Sequence, residues 1–203
     1  YATRFGFDAA KHPAYLTMAL GAGSVTPWQM VSAYAVFANG GYRIQPYIVR
    51  EIRNEKNEVI ARAEPTPAGN EELRAIDPRN AWLMDSLLRE VTLSGTATRA
   101  SRTLKRKDLA GKTGTTNEHV DAWFCGYQRT VTGCAWIGFS QPKNLGNNET
   151  GGVAALPIWI GYMQHALKDV PEQIPPVPDG LVALETTAPG QEGVQKEYFY
   201  KEN

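Results

Sequence analysis

The sequence predicts an α+β protein in which helices flank an antiparallel sheet. Three observations predict it. Segments beginning at Pro27 and at Pro78 carry apolar residues at helical spacing behind a capping residue. Three extended segments between Leu109 and Phe139 are joined by connections too short for a parallel crossover, so they are antiparallel neighbours. A last amphipathic stretch, about 154–167, supplies a closing helix. A five-stranded sheet would need two more strands from elsewhere, so the sheet is expected to be incomplete in this chain.

The elements follow in order. Thr26 can cap the first helix, and Pro27 suits its first position. Met30, Val31, Tyr34, Ala35 and Phe37 then form a broad apolar surface, and Asn39-Gly40-Gly41 ends it in left-handed conformation. Tyr42 to Ile52 reads as extended, Glu55-Lys56-Asn57 as a turn, and Glu58 to Ala63 as a returning strand. Asp77-Pro78 opens the second helix, with Trp82, Leu83, Leu87, Leu88 and Val91 as its stripe. The helix weakens at Ser94-Gly95, and the basic run Arg99 to Lys107 reads as a solvated connection. Asp121–Tyr127 and Val131–Phe139 form a hairpin. Beyond Asp169, Pro171, Pro175, Pro176 and Pro178 mark an extended tail, which divides the chain into 1–168 and a Pro-rich 169–203.

Composition narrows the function. Apolar residues make up 42% of the 203, enough for a core. Lys plus Arg equals Asp plus Glu at 21 each, so no overall field favours nucleic acid or an anionic membrane. No apolar run approaches the roughly 18 residues of a membrane span. The chain opens at Tyr1 without an initiator Met, and it is expected to be a piece of a longer protein whose anchor lies elsewhere. Cys125 and Cys134 flank a two-residue turn at Arg129-Thr130, which places them opposite each other on adjacent strands. Two small buried apolar residues are the favoured reading, and a cross-strand disulfide is the alternative. Their spacing fits no metal site.

The chemistry concentrates in Lys112-Thr113-Gly114-Thr115-Thr116. A cation, hydroxyls and a Gly in one short run can grip a carboxylate and an oxyanion. Gly111-Lys112-Thr113 ends like a P-loop, but the loop glycine expected five positions earlier is Arg106, and no amphipathic helix follows. A surface strand that reads this way by chance is the plainer alternative. Strict alternation would point Lys112, Gly114 and Thr116 one way and Thr113 and Thr115 the other, so twist at an edge strand is needed to bring them together. His119 reads as a solvated loop residue rather than a substrate contact, and Asp121 as a brace for its loop. Trp123, Trp136 and Trp159 read as core aromatics. His12 and His165 have no partner spacing for metal.

Several separated motifs resemble one family. Lys112-Thr113-Gly114 is similar to the strand motif of penicillin-binding proteins and serine β-lactamases. Ala19-Leu20-Gly21 with Val25-Thr26-Pro27, then Phe37 to Tyr42, resemble the run that precedes it in class A high-molecular-weight penicillin-binding proteins. Gly111 to Asn117, with Asp121-Ala122-Trp123-Phe124 and Gly126-Tyr127, resemble their active-site strand and its neighbour. Gln141-Pro142-Lys143, Leu145-Gly146, Gly151-Gly152 and Ala155 to Trp159 resemble the Gram-negative type 1a members. The likeness runs from Phe5 to about residue 167.

The resemblance implies the penicillin-recognising transpeptidase fold and peptidoglycan cross-linking through a serine acyl-enzyme, without metal or organic cofactor. It implies that Lys112 moves protons between nucleophile and leaving group. Thr113 and Thr115 would hold the terminal carboxylate of a stem peptide ending in D-Ala-D-Ala, or of a β-lactam. The Thr115 N–H would donate to the oxyanion, Gly114 would keep the strand open, and Thr116 would border the substrate. It implies a glycosyltransferase domain upstream, a membrane anchor, and a place on the periplasmic side of the inner membrane. A D,D-carboxypeptidase, a β-lactamase-type hydrolase and a non-catalytic β-lactam or muropeptide sensor are the alternatives. The family's nucleophile lies in Ser-x-x-Lys, followed by Ser-x-Asn, both before the Lys-Thr-Gly strand. This chain has no Ser-x-Asn, and its one Ser-x-x-Lys, Ser140 to Lys143, comes after the strand and contains Pro142. The nucleophile is therefore expected on an upstream segment, and this chain alone is expected to be inactive.

Overall fold

A computed structural model describes residues 1–12, 14–67, 69–186 and 195–202. Helix α1 (Pro27–Ala38) starts where the sequence places it. The Thr26 hydroxyl accepts from Gln29 N at 3.2 Å, and the Gln29 side chain accepts from Thr26 N at 2.9 Å. This reciprocal cap contributes about 1 kcal/mol. The helix ends at Gly40 and Gly41, with φ of 81° and 105°. Gly41 is required twice over, because a Cβ there would also lie 2.6 Å from the Ile76 carbonyl. That approach latches the exit of α1 to the entry of the next long helix, through Ala75 N–H donating to Gly41 O at 2.8 Å.

Little of the predicted extended region pairs. β1 (Glu51–Arg53) and β2 (Val59–Arg62) form a short, exposed antiparallel hairpin, and Tyr42 instead makes a single bridge to Arg74.

Helix α2 (Pro78–Leu93) buries Ala81, Trp82, Asp85, Leu88 and Thr92. The sequence assigned Leu87 to this stripe, but Leu87 is 63% exposed. Two polar residues occupy the stripe because the sheet offers them partners. Tyr127 donates its hydroxyl to Asp85 at 3.0 Å while Arg89 holds the other carboxylate oxygen at 2.8 Å. Burial, then the Asp85 charge, pushes the Tyr127 phenol well above its usual range. Thr92 donates to Leu109 O at 2.6 Å, which fixes the approach to the next strand.

The basic run is not a solvated connection. Thr98–Leu104 forms helix α3, and Ala97 and Ala100 are fully buried in the main core. The charges of this helix lie on its exposed side, and two alanines dock the other. Arg106, from the same run, forks onto buried Asp108 at 2.9 and 2.8 Å and donates to Val170 O and Pro171 O. Gln128 and Gln173 N complete the shell around Asp108. Burial opposes ionisation of Asp108, but Arg106 and these hydrogen bonds outweigh it and hold the carboxyl below its ordinary value.

A stability effect follows from that pair. Arg106→Ala is expected to cost about 3–5 kcal/mol, because it leaves a buried carboxylate uncompensated. A carboxyl whose folded value is lowered stabilises fully above its unfolded value of roughly 3.9, and the contribution disappears as pH falls through the folded value. Thermal unfolding from about pH 7 down to about pH 3 should show this acid limb in the parent protein and a flatter one in Asp108→Asn.

The central sheet has the order β3 (Ala110–Thr115), β4 (Ala122–Gln128), β5 (Val131–Ile137), all antiparallel. The hairpin register is the expected one, with Cys125 opposite Cys134 and Arg129-Thr130 at the turn. The two cysteines are disulfide-bonded, which corrects the favoured reading of two free residues. They share one non-glycine row on adjacent strands, and their Cα atoms lie 4.1 Å apart.

A single π turn (Gly151–Ala155) leads into α4 (Leu156–Ala166), which covers one face of the sheet. Trp159 packs edge-on to Phe124 at 4.9 Å and donates between Gly126 O and Gly133 O at 3.3 and 3.1 Å. The reading of 169–203 as an extended tail is corrected in part. Residues 170–178 have no regular structure, but β6 (Leu181–Thr186) and β7 (Gln195–Tyr200) pair as a hairpin. Tyr198 packs on Trp82 at 4.6 Å, Trp82 donates to Pro175 O at 3.1 Å, and Arg79 pairs with Glu202 at 2.5 Å. Aromatic residues late in the segment outweigh the prolines early in it.

Candidate functional site

Strand β3 begins buried at Ala110 and Gly111 and emerges at Lys112. It is one of the two edge strands of the sheet, so its outer side presents backbone groups to an incoming extended chain. The motif therefore sits where substrate backbone can be gripped.

The alternation problem is resolved at this edge. Lys112 folds over it, and its Nζ lies 3.0 Å from Thr113 O and 3.2 Å from Thr113 Oγ1. Thr113 and Thr115 share the other face and meet two supports there. Thr113 Oγ1 lies 3.0 Å from Thr96 Oγ1, and Thr115 Oγ1 accepts from Gly151 N–H at 3.1 Å. A hydroxyl has one hydrogen and two acceptor positions. The backbone donor behind Thr115 therefore leaves that hydroxyl's own hydrogen available to the open side.

Gly151 lies on the seam between β3 and β4, where Gly114 faces Trp123. A Cβ at Gly151 would stand 2.2 Å from Trp123 O and 2.5 Å from Gly114 O. Only a glycine lets the 150–152 turn press that close to both threonines. Gly152 continues the contact beside Thr96 and Thr113.

Thr116 is engaged locally. Its N–H donates to Asp121 O at 3.1 Å, and its hydroxyl accepts from Asp121 N at 2.7 Å. Asp121 also accepts from Trp136 Nε1 at 2.8 Å, so it braces the loop as expected. Within that loop Glu118 and His119 have φ of 59° and 52°, a conformation that costs about 1–2 kcal/mol per residue. His119 is half-buried rather than solvated. Its carbonyl accepts from Leu145 N at 2.9 Å, and its Nδ1 is enclosed with no hydrogen-bond partner among the described residues. Of the three tryptophans read as core, Trp159 is buried, Trp123 is half-buried, and Trp136 is 43% exposed.

Ser140 to Lys143 forms no helix, and Lys143 lies over the Phe139 ring at 4.0 Å. A groove of about 450 Å³ between β5 and α4, and one of about 420 Å³ between α1 and the β4–β5 turn, both lie away from Lys112. The motif stands at an open edge.

Thr96 and Gly151 are the parts that sequence reasoning missed. In the sequence Gly151-Gly152 stands out only through the resemblance, without a role. Thr96 lay in a stretch read as a weakening helix, and nothing local marks it.

Comparison with known proteins places the chain in one family. The profile of the penicillin binding protein transpeptidase domain matches residues 8–158. Penicillin-binding protein 1A of Neisseria lactamica is 45% identical over 183 residues, which is 90% of this chain and 23% of that protein. Penicillin-binding protein 1A of Pseudomonas aeruginosa is 37% identical, across 100% of this chain and 31% of its own length. The chain thus spans under a third of these relatives. The crystal structure of penicillin-binding protein 1A from Haemophilus influenzae superposes with a TM-score of 0.88 at 32% identity, covering 98% of this chain and 35% of that one. The PonA1 protein from Mycobacterium tuberculosis in complex with penicillin V shares the fold, with a TM-score of 0.68 at 22% identity, over 86% of this chain and 50% of that one.

Proposed function

Because this chain belongs to the penicillin-binding protein transpeptidase family, we propose that it forms the carboxylate and oxyanion half of a serine D,D-transpeptidase. The observation that carries this reading is the contact of Lys112 with Thr113 on an exposed strand edge, with Thr115 backed by Gly151 two residues further on. A stem peptide ending in D-Ala-D-Ala, or a β-lactam, lies along β3. Its carboxylate takes hydrogen bonds from the Thr113 and Thr115 hydroxyls and charge from Lys112. The Thr115 N–H faces the oxyanion, a contact of a kind worth about 2.7–4 kcal/mol in the transition state. Gly114 keeps side-chain bulk away from the substrate backbone. Thr116, its hydroxyl held by Asp121, shapes the end of the edge.

The nucleophilic Ser lies on an upstream segment of the same protein. Its oxygen forms an ester with the penultimate D-Ala as the terminal D-Ala leaves with the proton passed on through the Lys112 side. An amine of a neighbouring stem then takes the acyl group. Residues 1–168 are the later part of this domain, and the described residues after 169 pack on α2 through Pro175, Tyr198 and Glu202. The whole protein also carries a glycosyltransferase domain and a membrane anchor, and it works on the periplasmic side of the inner membrane. Among the described residues, no helix is long and apolar enough to cross a membrane.

Labelling the full-length protein with a fluorescent penicillin tests this. The label should map to a Ser upstream of this chain. Thr115→Val should lower the labelling rate by about tenfold or more, and Thr103→Val, on the exposed side of α3, should leave it unchanged. Equal effects of the two substitutions would remove the cleft from β3. Label on Ser140 would overturn the assignment of the nucleophile.

A further inference from the structure

We infer that Thr96 is a positioning residue that sets the direction of the Thr113 hydroxyl, so that the Thr113 proton faces the substrate carboxylate. This rests on the reading of Thr113 as a carboxylate contact.

The argument is a count of donors. Lys112 Nζ lies 3.2 Å from Thr113 Oγ1 and can only donate to it. Thr96 Oγ1 lies 3.0 Å from the same oxygen. If Thr113 spent its proton on Thr96, it would present only an oxygen lone pair to an arriving carboxylate, and the two would repel. If Thr96 donates instead, both acceptor positions of Thr113 are filled, and its hydrogen has one place left to go, outward. A carboxylate on the open side selects this second arrangement, and Thr96 makes it available without moving a heavy atom. Thr115 shows the same logic with a fixed donor, since Gly151 N–H already fills an acceptor position behind it.

The backbone holds Thr96 in place independently of its hydroxyl. Gly95 N donates to Glu90 O at 3.1 Å and Ala97 N to Val91 O at 3.0 Å, while Ala97 is fully buried. The Thr96 side chain itself is exposed. Substitution there removes the hydrogen bond and leaves the turn standing.

The test uses the full-length protein, with benzylpenicillin and its methyl ester as probes of acylation. Thr113→Val should slow acylation by the acid by about tenfold or more. Thr96→Val should slow it by about tenfold and leave the ester reaction at the parent rate, and Thr96→Ser should restore the acid reaction to within about twofold. Thr96→Val added to Thr113→Val should cost nothing further, because the same interaction is already gone. Thr96→Ala carries the same comparison if Thr96→Val melts early. Normal acylation by Thr96→Val beside an impaired Thr113→Val would overturn the inference and leave the site reading intact. Equal losses for acid and ester would show a structural role and also overturn it. An unimpaired Thr113→Val would overturn the site reading itself.

Discussion

Lys112→Ala in the full-length protein is expected to lower β-lactam acylation by about a hundredfold or more, the scale of a lost general acid–base group, while the melting temperature stays where it is. The split between activity and stability comes from how Lys112 is held. Its side chain is exposed, and among the described residues its ammonium hydrogen-bonds to Thr113 O and Thr113 Oγ1 alone. Among the described residues it forms no ion pair, so its removal strands no buried charge. Water replaces it at both oxygens. Lys112→Arg should rescue the rate poorly, since a guanidinium keeps its charge but does not release a proton and its planar fork does not fit a single hydroxyl. Stopped-flow acylation and a thermal melt on the same samples decide the matter. An alanine variant that acylates within tenfold of the parent would remove Lys112 from the reaction.

Gly151→Ala is expected to damage both properties together. The added Cβ would stand 2.2 Å from Trp123 O and 2.5 Å from Gly114 O, and both atoms belong to the backbone of the central sheet. Neither can swing aside like a side chain. Either the 150–152 turn lifts off, or β3 separates from β4. Overpacking of this kind costs about 1–3 kcal/mol and more where backbone must move. Lifting the turn also removes the Gly151 N–H behind Thr115 and unpacks the contact beside Thr96 and Thr113. Gly161→Ala is the control. It lies on α4 with open space where its Cβ would go, so it should be neutral or stabilising by up to about 1 kcal/mol. If Gly151→Ala melts and acylates like Gly161→Ala, the turn does not support the two threonines.

What the sequence made legible was local. The cap at Thr26, the stop at Gly40-Gly41 and the opening at Asp77-Pro78 each depend on a few neighbouring residues, and all three form as read. The β4–β5 register was legible because a two-residue turn fixes every pair that follows it. The errors have a common cause. By type Leu87 belongs to the α2 stripe, yet Asp85 and Thr92 are buried there beside Ala81, Trp82 and Leu88, and the charges of α3 mask its helix in the sequence. In both cases burial was assigned by residue type, whereas tertiary partners such as Tyr127 OH and Leu109 O decide it. The same holds for Tyr198 of β7, which packs on Trp82 of α2.

By itself, the sequence determined which chemical groups are present, Lys112 and the threonines after it, and that they lie on a strand beside a hairpin of known register. Only the tertiary structure decided which distant residues meet them. Thr96 reaches Thr113 across 17 residues, and Gly151 reaches Thr115 across 36. No short-range periodicity encodes either contact. Each exists because helix docking, through buried Ala97 in one case and Trp159 in the other, brings a turn against the back of β3. The hydrogen-bond partners of the two hydroxyls come from those turns, so the proposed grip on a carboxylate rests on packing.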